Sequence, residues 1–193
     1  MTGNAASDFV LALVCVWIMQ TRRHQPGLVV AAFLIGLAAS LGVLRFSGVE
    51  VLPGPHQFAS ALSACAAFPL LAYALRYPDD PIAAQLTGAI RFALLLGGLG
   101  IGLTVAAVSQ WGPAVAVISA LVIAWTMVAA RNPVGTAGAA LLLAGMAATV
   151  IGRAGGAVPR FNPAVVVLHL CLAAGLAALA IGSLSKQIRT QQN

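Results

Sequence analysis

Apolar residues fall in seven long blocks along the chain, at about 6–21, 28–46, 57–75, 90–109, 113–130, 134–151 and 163–184. Between them stand TRRHQPG, SGVEVLPGP, RYPDDP, QWGP, RNP and GRAGGAVPRFNP. Proline and glycine at these places stop helices, because proline lacks the backbone N–H and its ring clashes with the preceding turn. A spanning helix needs roughly 20 mostly apolar residues. The blocks therefore predict an all-α integral membrane protein with seven transmembrane helices in a single domain, 1–193. The first and sixth blocks are short and are expected to tilt less or to thin the bilayer locally. Residues 81–90 predict a short interfacial helix with Ile82, Leu86 and Ile90 on one face, which leaves Arg91 at the membrane boundary, free to snorkel.

Composition fits this pattern. Of 193 residues, 61% are hydrophobic and 7% charged, with a mean hydropathy of +0.98. A soluble domain carries roughly 25% charged residues, so lipid must be the solvent for most of this surface. The net charge of +6 comes from bases at the ends of apolar blocks, which reads as topology signal and not as a nucleic-acid face. With the N-terminus outside, Arg22, Arg23, Arg76, Arg91, Arg131, Lys186 and Arg189 lie inside, while Arg45, Arg153 and Arg160 lie outside. The positive-inside rule thus predicts N-out and C-in, with a cytoplasmic tail at 185–193, in a bacterial inner (plasma) membrane. The segment MTGNAASD lacks a basic signal-peptide region, so the first block is expected to be retained. Cys15, Cys65 and Cys171 lie inside apolar blocks without a CxxC motif, as buried free thiols do.

The chain also resembles itself. ALVCVWIMQTRR at 12–23 aligns with ALVIAWTMVAAR at 120–131, matching at six of twelve positions at an offset of 108. Trp17 pairs with Trp125, Met19 with Met127 and Arg23 with Arg131; Pro26 and Pro133 follow. GLAAS at 36–40 then aligns with GMAAT at 145–149, trailed by Arg45 and Arg153, and SACAAFPLLA at 63–72 aligns more weakly with HLCLAAGLAA at 169–178. The chain reads as two three-helix units, 6–75 and 113–184, joined by a glycine-rich fourth helix within 81–109. An odd number of spans per repeat makes the units parallel, related by an axis along the membrane normal. The glycines of the fourth helix fit close helix packing; no strand precedes them, as a dinucleotide fingerprint would require.

Few polar side chains remain for chemistry. His169 lies about six residues into the last block, roughly 9 Å deep by helical rise. An ionisable residue at that depth is either a functional group or polar glue between helices. Ser63 is its counterpart in the first unit. His56 opens the third block on the same side and aligns with Asn162, about seven residues above the His169 level. A shared two-histidine metal or haem site is therefore disfavoured, and no carboxylate is expected beside His169. Arg45 and Arg153 either snorkel or draw an anion to the mouth of a cleft. Ser40 and Thr149 line the same path or bond back to their own helices. Trp17 and Trp125 fit an aromatic belt.

The three-plus-one-plus-three parallel plan resembles that of SWEET-type sugar transporters, although the Pro-Gln pair of that group is absent. Ser40 and His169 are placed loosely as in alkaline ceramidases and adiponectin receptors, seven-helix proteins with a serine in the second helix and a histidine in the seventh. Val165 and Ala173 flank His169, so the HxxxH pair is missing, as is a second-helix histidine. A retinal Schiff base is excluded because Lys186, the single lysine, stands at the inner end.

The expected function is binding or transport of a small solute in a cleft between two pseudo-symmetric halves. His169, Ser63, His56, Asn162, Ser40, Thr149, Arg45 and Arg153 are the candidate binding residues. No cofactor is expected; the alternative is a membrane enzyme or redox module with a metal or haem on His169. A third reading is a structural subunit of a membrane complex. Expected partners are the bilayer, a small molecule, and a second copy or another membrane protein, but not nucleic acid.

Overall fold

The computed structural model describes residues 3–49, 51–106, 110–153 and 162–191; the side chains of 150–153 and 184–191 lie outside that description. Among the described residues every regular element is helical. The order is α1 (Gly3–Thr21), α2 (Pro26–Phe46), α3 (Pro53–Leu62), a π-helical turn (Ser63–Ala67), α4 (Phe68–Arg76), α5 (Pro81–Ala84), α6 (Leu86–Val105), α7 (Trp111–Ala129), α8 (Pro133–Arg153) and α9 (Pro163–Gln191). Proline opens α2, α3, α5, α8 and α9. At a first-turn position its missing N–H costs nothing, and its fixed φ suits the helix.

Among the described residues six helical stretches are long and apolar enough to cross a membrane, α3 through α4 counting as one rod. α8 runs over 21 residues, of which Pro133–Thr149 is apolar among the residues whose side chains are described. Trp17 and Trp125 are 37% and 70% exposed and so face outward from the bundle, as belt residues do.

Two local features depart from the sequence reading. The helix expected over 81–90 is broken: Gln85 adopts φ −114°, ψ 137°, so Ile82 belongs to α5 while Leu86 and Ile90 belong to α6. Asp80 sets the start of α5, its Oδ1 accepting the Ile82 N–H at 2.9 Å. The third span carries a π-helical turn whose cause is Pro69. Proline cannot donate to the carbonyl four residues back and its ring crowds that carbonyl. The ladder loosens just before it, and the Phe68 N–H bonds to the Ser63 carbonyl, five residues back.

Six helical rods close a ring: α1 on α2, α2 on the α3–α4 rod, that rod on α7, α7 on α8, α8 on α9, and α9 back on α1. α6 packs outside the ring, chiefly on the π-helical turn and α2. In lipid, tight van der Waals packing replaces the hydrophobic force between helices. The alanine-rich core reflects this, with Ala31, Ala66, Ala89, Ala120 and Ala139 fully buried. α8 and α9 approach each other backbone to backbone. A Cβ on Gly138 would lie 2.8 Å from the Gly175 carbonyl oxygen, and a Cβ on Gly175 would lie 2.8 Å from that of Gly138. At the start of α8, Asn132 ties the same two helices. Its Oδ1 accepts from Gly135 N at 2.9 Å and its Nδ2 donates to Gly182 O at 3.1 Å.

Candidate functional site

The N-terminal half-turns of α1 carry Asn4, Ser7 and Asp8, spaced three and four residues apart and therefore on one face. That face is turned inward, toward α2 and α9, and leaves Asp8 only 1% exposed. A carboxyl buried so deeply must find a partner. Its Oδ1 lies 3.1 Å from His169 Nδ1 on α9. The same nitrogen stands 3.4 Å from Ser7 Oγ, and the Ser7 hydroxyl donates to the Asn4 carbonyl at 2.9 Å. With the Ser7 proton committed to that carbonyl, Oγ faces His169 as an acceptor. Nδ1 thus faces both Oγ and Oδ1, and Nε2 is the imidazole atom turned to neither of them.

Asp8 corrects the expectation that no carboxylate stands near His169. The two residues are far apart in sequence, and the parallel packing of α1 on α9 brings them level. Gly42 of α2 makes room for the carboxyl: a Cβ there would overlap Asp8 Oδ2. Oδ2 itself is buried and has no hydrogen-bond partner among the described residues.

Arg45 and His56 form a second polar pair at this end. Arg45 Nη1 lies 2.9 Å from His56 Nδ1. A guanidinium only donates, so His56 accepts at Nδ1 and carries its proton on Nε2. Phe46 completes the group, edge-on to the His56 ring at 5.9 Å and with Arg45 5.2 Å above its own ring. Arg45 is thus tied across the α2–α3 turn, not extended toward lipid. Its charge acts on Asp8, and His56 lies within electrostatic reach of His169.

The remaining candidates stand apart from this group. Ser40 donates to Gly36 O at 2.8 Å and Thr149 to Met146 O at 2.7 Å, each within its own helix. Asn162 caps α9, accepting from Ala164 N at 3.0 Å. Ser63 is buried on the π-helical turn, which packs on α6, α2 and α7 and so lies away from the α1–α9 seam. The Arg153 side chain lies outside the described residues.

The arrangement constrains the chemistry. In a serine hydrolase relay the nucleophile and the acid use different imidazole nitrogens. Here Ser7 and Asp8 both approach Nδ1, so the cluster is not built as that relay. Among the described residues no three histidine, cysteine, aspartate or glutamate side chains are grouped to hold a metal ion. Cavities among the described residues lie elsewhere. One of about 250 Å³ opens between the π-helical turn, α6 and α7, beside Cys65, Leu96, Trp111 and Ser119. Another, between α1, α2, α4 and α9, is lined by apolar residues such as Ile18, Leu71 and Leu176, and at about 10 Å³ holds at most a water molecule.

These helices are those of an integral, multi-pass membrane protein with a polar cluster at one end of the bundle. Comparison with protein-family models, curated proteins and solved structures found no match.

Proposed function

We propose that this protein binds or moves a small polar solute at the seam between two parallel three-helix halves. The observation that carries the reading is the Asp8–His169 pair, which joins the first helix to the last across that seam and leaves Asp8 Oδ2 without a hydrogen-bond partner among the described residues. Ionisable groups are rare and costly inside a membrane, which favours a functional role over mere glue.

Seven spans and the N-out, C-in orientation belong to the same proposal. The two-fold plan is supported by matched elements. Helices α1 and α7 are both 19 residues long, α2 and α8 are both 21, and α3 and α9 both open on proline. The α9–α1 contact is the repeat counterpart of the α4–α7 contact. Close approaches also recur at the offset of 108: Gly27 meets Ala74, and Gly135 meets Gly182.

The test is a panel of small polar solutes scored by the Tm of the purified protein. At least one solute class is expected to raise the wild-type Tm. Asp8→Asn and His169→Gln are each expected to remove that shift while the ligand-free protein stays folded. A solute response indifferent to both substitutions would overturn the assignment.

A further inference from the structure

At the bundle end opposite Asp8, Arg22 follows the last residue of α1 and is fully buried, at 0% exposure. Among the described residues its Nε and both Nη atoms have no hydrogen-bond partner, and no ion pair includes it. Arginine does not escape the cost of burial by deprotonating, so a buried guanidinium calls for a negative partner. Three residues on, the Gln25 N–H donates to the Arg22 carbonyl at 2.8 Å, which closes a turn between α1 and α2. Gln25 Oε1 is likewise buried and unpartnered. Gln25 is also the N-cap position of α2, a 21-residue helix whose first N–H groups receive no side-chain cap. One turn thus gathers a guanidinium fork, an uncapped positive helix end and one hydrogen-bond acceptor.

The second half of the chain is built differently here. Ala130 stands at the offset of 108 from Arg22, and Asn132 caps α8 with its own side chain. Among the described residues no acid pairs with Arg22; Asp79 is exposed, and Asp80 caps α5. Arg23 and His24, both exposed, flank the turn. Arg22 lies one residue beyond the apolar span, the level of lipid headgroups.

We infer that the Arg22–Gln25 turn binds a phosphate oxyanion bearing a neighbouring hydroxyl or amine, whether in a phospholipid headgroup or a soluble phosphate ester. The oxyanion meets the guanidinium and the α2 N–H groups, and the hydroxyl or amine donates to Gln25 Oε1. This site is separate from the Asp8–His169 seam and does not rest on the solute reading.

The experiment follows the Tm of the purified full-length protein during titration with short-chain phosphatidylglycerol, short-chain phosphatidylcholine and glycerol phosphate. Phosphatidylglycerol is expected to bind at least about 10-fold more weakly to Arg22→Gln, the loss of one charge-assisted contact, and less than about 2-fold more weakly to Arg23→Gln. Phosphatidylcholine, which lacks the donor, is expected to bind more weakly than phosphatidylglycerol. An Arg22-dependent response to glycerol phosphate identifies a soluble ester as sufficient; a response to lipid alone identifies a headgroup. If Arg22→Gln does not fold, Arg22→Lys keeps the charge without the fork and is expected to lose about 3-fold. Equal losses in the Arg22 and Arg23 variants, or binding that ignores Arg22, would overturn the inference.

Discussion

Replacing Gly175 with valine is expected to destabilise the bundle by about 3 kcal/mol or more, because the added atoms meet the Gly138 backbone on α8 as well as the Leu142 side chain. Gly138→Val is expected to do the same from the other side. Overpacked cores usually cost roughly 1–3 kcal/mol because neighbouring side chains shift. Here the carbonyl oxygen of the facing glycine lies 2.8 Å from each new Cβ, so even if Leu142 moves, relief requires α8 and α9 to separate. Gly102 is the control: nothing lies within 4 Å of its Cβ position. Gly102→Ala should be neutral or stabilising by up to about 1 kcal/mol, since alanine is the better helix former. Reversible unfolding in mixed micelles measures all three; equal effects at Gly175 and Gly102 would remove the close α8–α9 contact from the account.

The second large effect concerns the polar pair. Breaking a buried ion pair in a soluble core costs roughly 3–5 kcal/mol, whereas polar pairs between membrane helices average about 0.6 and reach about 1.7 kcal/mol. The lower range applies to Asp8. After Asp8→Asn the Ser7 Oγ still faces Nδ1, and Oδ2 had no protein partner to lose. Asp8→Asn is therefore expected to cost about 1 kcal/mol. His169→Leu is expected to cost more, about 2 kcal/mol, because it strands the carboxyl against Gly42 without any partner. A double-mutant cycle should give a coupling of about 1 kcal/mol between the two sites. A coupling near zero would mean that the two side chains do not act on each other.

Much of the fold was legible because lipid imposes one strong rule. Every spanning segment must satisfy its own backbone, so hydropathy and proline positions mark the helices. Pro26, Pro53, Pro133 and Pro163 each open a helix where the punctuation placed one. The breaks inside elements were harder. Phe68-Pro69 was visible, but the resulting π-helical turn depends on how the ladder relaxes around it. Gln85 offers no proline or glycine to announce its extended backbone.

The site was half legible. His169 stood out by depth alone. Its partner did not, because Asp8 is near the start of the chain and reads as the fringe of a polar tail. One signal was present: Asp8 is an acid inside the first apolar block, and such residues in spanning helices seldom lack a role. Ser63 drew attention through the repeat, yet a repeat equates positions between halves and says nothing of which helices touch. Arg22 counted as a topology charge, since no pattern in the sequence distinguishes a buried arginine from the exposed Arg23 beside it.

The central claim is that the Asp8–His169 seam opens to water and admits a solute. The direct measurement replaces Cys15, Cys65 and Cys171 with alanine, introduces Ser7→Cys or Leu13→Cys, and treats proteoliposomes with a charged, membrane-impermeant thiol reagent. Ser7 contacts His169, whereas Leu13 is 52% exposed on the outer surface of its helix and faces lipid. The account expects Ser7→Cys to be labelled and Leu13→Cys to be spared, with labelling slowed by any solute that raises the Tm. Labelling of Ser7→Cys no faster than that of Leu13→Cys would contradict it and leave the pair as dry glue between helices.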